Sequence, residues 1–135
     1  MKDTVETDQA IADAALCPTT STLYSGDLEY DTGSDVIIVR SMIVHADKVA
    51  FDLTTTWQDL GRWRVNDVAN RTEDGEFVTG VLFSRHETTG QPDAKGCQLK
   101  FRIVRLSSDE IELRGMWCQF GANQFYPFSG ILERV

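Results

Sequence analysis

Residues 48–58, KVAFDLTTTWQ, place Val49, Phe51, Leu53, Thr55 and Trp57 on one face and Lys48, Asp52, Thr54, Thr56 and Gln58 on the other. Side chains of a β-strand alternate between the two faces of a sheet, so this period of two describes a half-buried strand. The pattern returns with Cys97, Leu99, Phe101 and Ile103 set against Gln98, Lys100 and Arg102. It returns again with Ile111, Leu113 and Trp117 opposite Glu110, Glu112 and Arg114. Working outward from these segments, we expect eight strands, at about 21–30, 35–45, 48–59, 61–70, 76–87, 97–106, 110–119 and 124–134. Turn signals separate them: DTGS (31–34), HAD (45–47), EDG (73–75), TTGQPDAKG (88–96), SSD (107–109) and GANQ (121–124).

Links this short force antiparallel neighbours, because a parallel crossover needs about a dozen residues or more. A meander of amphipathic strands can bury all its apolar faces by closing on itself, which also removes unpaired edges. The expected fold is therefore all-β: a single antiparallel eight-stranded up-and-down β-barrel over 21–135, with a two-sheet sandwich as the alternative. Residues 1–20 form an N-terminal tail or short helical or irregular segment; VETDQAIADAAL (5–16) carries Val5, Ile11 and Leu16 on a weak stripe, and Pro18 ends it. Val36 to Val39 run without a polar break, which suggests a strand covered on both faces, with the segment bearing Ile11 and Leu16 as the nearest cover.

At 135 residues, with 41% hydrophobic and 25% charged side chains, the chain suits one soluble domain able to bury a core without metal or disulfide staples. No apolar run approaches the roughly 18 residues of a membrane helix. The first residues lack the basic and apolar regions of a secretory signal, so an intracellular, cytoplasmic product is expected. Cys17, Cys97 and Cys118 are an odd number with no C-x-x-C, which favours reduced thiols, although a Cys97–Cys118 bridge across neighbouring strands stays open. The net charge of −8 argues against a nucleic-acid surface, which needs clustered Lys and Arg. Eight acidic residues fall within 1–35 against Lys2 alone, leaving 13 acidic and 12 basic residues in the body. The acidity therefore sits at the front end, as a solvated tail or as a surface for a basic protein partner.

Glycine recurs two residues before Leu or Trp in YSGDL, VTGVL, LRGMW and FSGIL, at Gly26, Gly80, Gly115 and Gly130. Glycine weakens a strand, so its repetition points to coiling or to room for an opposed ring, with space for a ligand as the alternative.

Asp31-Thr32-Gly33-Ser34 followed by Val36 to Val39 resembles the catalytic turn of aspartic proteases, and a chain of this size would have to dimerise, as retroviral-type members do, to pair two carboxylates. Glu29 two residues before Asp31, and Phe128-Ser129-Gly130 leading into a strand instead of a helix, oppose that reading. A tight hairpin turn, Asp first and Gly at positive φ, explains the four residues more simply. His45 and His86 have no Ser or Cys placed with them as a nucleophile–base pair, and two histidines with scattered acids do not make a metal site.

The aromatics share parity with the core, and an eight-stranded barrel has a lumen just wide enough to be filled or to hold one small ligand. We therefore take Trp57, Trp63, Phe101, Trp117 and Tyr126 as candidate ligand-lining residues. Arg85 continues the face of Phe77, Thr79, Val81 and Phe83, so it should point inward near a mouth, where a guanidinium needs an acid or an anionic ligand. The arrangement resembles the meander barrels of the avidin and lipocalin (calycin) group, which implies binding of a small apolar or amphipathic molecule inside the barrel; with Arg85 near the mouth, a carboxylate-bearing ligand is expected as well. The lipocalin Gly-x-Trp signature belongs on the first strand, whereas Gly61-Arg62-Trp63 falls on the fourth, so no family residue is carried over. A small-molecule-binding barrel without cofactor or metal is the leading expectation. A protein-interaction or neutralising module, and a cofactor-free cyclase of the allene oxide cyclase type, are the alternatives; no catalytic residue stands out, and the oligomeric state is left open.

Overall fold

The computed structural model describes residues 21–121 and 124–135, and all regular structure among them is β. The expected N-terminal helix, Cys17 and the suggested cover over residues 36–39 lie outside the described residues. In chain order the strands are β1 Thr22–Tyr30, β2 Val36–Val44, β3 Lys48–Trp57, β4 Gly61–Arg71, β5 Phe77–Val78, β6 Arg85–His86, β7 Cys97–Arg105, β8 Glu110–Gln119 and β9 Gln124–Arg134. All pairings are antiparallel, β9 returns to β1, and β3 joins β4, so the sheet closes. β5 and β6 share one place in the wall between β4 and β7, which leaves a ring of eight positions. The fold is a closed barrel and not a sandwich.

The expected strand over 76–87 is the exception. Phe77 and Thr79 are buried, but so are Leu82 and Ser84, while Val81 and Phe83 are 58% and 55% exposed. Passing from Thr79 to Leu82 takes one residue more than the period of two, and such a slip sends every later side chain to the opposite face. Gly80 is where the chain can yield, since nothing lies within 4 Å of the position its Cβ would take. The segment 79–84 leaves β4 and follows β7: Thr79 N donates to Leu99 O (3.0 Å), Leu82 N to Cys97 O (2.8 Å) and Cys97 N to Leu82 O (2.7 Å). A second slip of the same kind occurs in β2. Arg40 bulges out of the β2–β3 ladder, so Val39 and Met42 both reach the core although three positions apart.

The inward side chains meet across the lumen. Gly115 and Gly130 make this possible: a Cβ on Gly115 would run into the Lys100 carbonyl and lie 2.6 Å from Phe101 Cβ, and one on Gly130 would lie 2.8 Å from Asp27 O. These glycines are room for opposed side chains and backbone. Cys97 faces inward opposite Gln119, and Cys118 faces outward opposite Gln98. Both thiols are free, on opposite faces of one sheet, which rules out the bridge considered above. Burial, aided by the Asp93 charge, pushes the Cys97 thiol up to about 12, so it is an inert side chain and not a nucleophile. DTGS joins β1 to β2 as a tight turn, with Gly33 at φ 79° and its N–H donating to Tyr30 O (2.8 Å). Asp31 is exposed at its tip.

Candidate functional site

The turns β1–β2, β3–β4, β6–β7 and β8–β9 lie at one end of the barrel, and aromatic residues concentrate there. Tyr30, the last residue of β1, is 2% exposed, and its hydroxyl lies 2.7 Å from Thr55 Oγ1 on β3. Desolvation raises the phenol's pKa well above the usual tyrosine range, with the Thr55 hydroxyl opposing, so Tyr30 stays neutral. The Trp57 ring centroid is 5.0 Å from Tyr30, 5.1 Å from Tyr126 and 5.7 Å from Trp117. Because Trp57 is on β3 and Trp117 on β8, that last contact spans the lumen. Trp117 is fully buried, whereas Trp57 and Tyr126 are half-buried. The result is a floor of enclosed rings under two partly open ones.

A polar chain fixes the floor. Trp117 Nε1 donates to Gln119 Oε1 (3.0 Å), and Gln119 Nε2 donates to Asp93 Oδ2 (3.0 Å) and Gly96 O (3.2 Å). The buried indole N–H is thereby tied to the long β6–β7 turn, as a desolvated donor requires. Trp63 Nε1 donates to Leu60 O (2.9 Å); Trp57 Nε1, by contrast, has no acceptor among the described residues. Leu60 and Phe120, on two of the turns at this end, are 64% and 37% exposed and add an apolar rim.

Of the residues singled out from sequence, the structure brings together Trp57, Trp117 and Tyr126. Trp63 is at the same end but half-buried against His86, ring centroids 5.0 Å apart at 88°. Thr88 and Thr89 N–H groups donate to His86 Nδ1 (3.2 and 3.3 Å), which pins that ring to its own turn. Phe101 belongs to the other half of the lumen, stacked on Phe77 at 5.7 Å and edge-on to Phe51 at 6.5 Å, where it fills the core. Arg85 does not point inward. The slip at Gly80 turns it outward, opposite Arg64, where its Nη1 donates to Gly90 O (3.1 Å). Tyr30, Thr55 and Gln119 were missed; Thr55 and Gln119 carry inward parity beside Trp57 and Trp117, which is the signal that would have found them, whereas Tyr30 ends β1, a strand with no candidate of its own.

A separate cluster lies on the outer face. Glu87, just after β6, accepts from Thr54 Oγ1 (2.6 Å), Arg40 Nη2 (2.9 Å) and Arg62 Nε (3.1 Å), reaching over β4 and β3 to β2. The Thr54 hydroxyl first, then the two guanidinium groups, pull its carboxyl down to about 2. Among the described residues no three His, Cys, Asp or Glu side chains gather as a metal site.

No protein-family model matches this chain, and no curated protein matches it. Among solved structures it is similar to bovine odorant binding protein in complex with a selenium-containing odorant, at TM-score 0.51 and 13% identity, covering 85% of this chain and 72% of that one. It is also similar to EF1p2_mFAP2b bound to DFHBI, at TM-score 0.50 and 10% identity, covering 84% of this chain and 92% of that one. Shared architecture at so low an identity establishes the fold: this chain is a closed, lipocalin-like antiparallel barrel.

Proposed function

We propose that the protein binds a small, flat, apolar or amphipathic molecule at the aromatic end of the barrel. The observation that carries this reading is the pair of half-buried rings, Trp57 and Tyr126, standing over the enclosed Trp117 and Tyr30. Ring surface left in water costs about 25 cal/mol per Å² of apolar area, and a stacked aromatic ligand recovers that and adds about 0.5–1.5 kcal/mol per ring pair. The Trp57 N–H supplies a directional donor for a polar atom of the ligand. Because Trp57 meets Trp117 across the lumen, the ligand rests against these rings instead of entering deeply. Both similar structures are complexes, one with an odorant and one with DFHBI, which agrees with this use of the fold.

Tryptophan emission tests the reading directly. Titration with a panel of flat aromatic and carboxylate-bearing amphipathic probes should give a saturable change for at least one class. The same probe should raise stability by about 2.7 kcal/mol at a hundredfold excess over its Kd. Trp57→Ala should weaken its binding about tenfold. Unchanged emission and unchanged Tm across the panel would sink the proposal.

A further inference from the structure

The barrel wall is open between β4 and the segment 79–84. β4 pairs with β6 at Trp63 and Arg64 and with β5 at Asn70 and Arg71, while the chain between β5 and β6 is held by β7. The slit this leaves has a volume of about 180 Å³. Val65 and Leu82, 4% and 5% exposed, form an apolar floor, and the exposed Phe83 ring stands at its lip.

Two charges border the slit without an opposite partner among the described residues. Arg64 is satisfied by Asp52 through a two-pronged contact of 2.9 and 2.6 Å. Arg85, in contrast, donates only to the Gly90 carbonyl (3.1 Å). Asp67 accepts only from the adjacent Val68 N–H (2.7 Å). Arg85 is level with Arg64 on the outer face of β4, whereas Asp67, three residues and roughly 10 Å further along the strand, pairs with the buried Phe51 and has the inner parity of Val65, so the two charges stand at the outer and inner sides of the slit. A guanidinium and a carboxylate that have no opposite charge among the described residues, both bordering a slit with an apolar floor, complement a molecule with the reverse order of charges. The guanidinium fork matches a carboxylate in particular.

We infer that this slit is a second binding site, for a small zwitterion of the amino-acid or dipeptide class, its carboxylate on Arg85, its ammonium on Asp67 and its apolar body against Val65, Leu82 and Phe83. The site is in the wall, apart from the aromatic end, and is occupied whether or not that end takes a ligand.

Methyl NMR of Val65 and Leu82 in the full chain reads the slit without relying on tryptophan. Glycyl-leucine should shift these methyls saturably at millimolar concentration. N-acetylglycyl-leucine, which lacks the ammonium, and glycyl-leucinamide, which lacks the carboxylate, should each bind about tenfold more weakly or worse. Arg85→Gln should abolish the preference for the free carboxylate, and Asp67→Asn the preference for the free ammonium. Both side chains are exposed, and an unchanged Tm confirms the fold of each variant. Absence of any shift with the dipeptide, or equal binding of the blocked forms, overturns the inference.

Discussion

β8 and the wall position shared by β5 and β6 start from comparable sequences: EIELRGMWCQ (110–119) and FVTGVLFSRH (77–86) each carry five apolar residues and one central glycine. β8 nevertheless pairs along its whole length on both sides, while the other segment touches β4 only at its two ends. What differs is the surroundings of the glycine. Gly115 is gripped by Phe101, Phe128 and the Lys100 carbonyl; around Gly80 there is nothing within 4 Å. A strand keeps its register where opposed rings lock it and slips where they do not.

The largest test of this contrast is truncation of one ring on each side. Trp117→Ala should cost about 3–5 kcal/mol in denaturant unfolding, the range for a buried aromatic, while Phe83→Ala should stay within about 0.5 kcal/mol. Similar losses would mean that the two segments are equally committed to the core. A finer test uses the glycines. Gly115→Ala should destabilise by about 1–3 kcal/mol through overpacking, whereas Gly80→Ala should be neutral or stabilise by up to about 1 kcal/mol by restricting the unfolded chain.

The smallest effect concerns the clamp that holds the end of the broken segment. Glu87 has a folded pKa of about 2, below the roughly 4.3 of an unfolded glutamate. Its contribution is therefore complete above about pH 4.3 and is lost as pH falls toward 2. Its arginine partners are 41% and 49% exposed, and solvent screening reduces the contribution to about 1 kcal/mol. Stability measured from pH 6 to 2 should decline less steeply in Glu87→Gln than in the wild type. Parallel curves would show that the clamp is not electrostatic.

Alternation alone was enough to place most of the wall. Val49, Phe51, Leu53 and Thr55 are buried as the 48–58 pattern requires, with Trp57 half-buried at the end. Thr54, on the outward face of the same strand, is also fully buried, because Glu87 and Arg40 arrive from distant positions to cover it. No local pattern announces such a cover. The same limit governs the candidate site. Trp57, Trp117 and Tyr126 meet because their strands keep register, whereas Arg85 lies beyond a slip that alternation cannot anticipate and so emerges on the other face. Trp63 keeps its parity but is claimed by His86, a contact made by a neighbouring strand.

The slit in the wall has one more consequence. Barrels avoid self-association by leaving no strand with a free side, yet residues 65–69 of β4 have no strand partner toward the slit. This internal edge is only about 16 Å long at 3.3 Å per residue, and it is bounded at both ends by β5 and β6. A strand from another molecule would have to thread a closed ring to pair with it. The barrel thus carries an unpaired edge without becoming a template for aggregation.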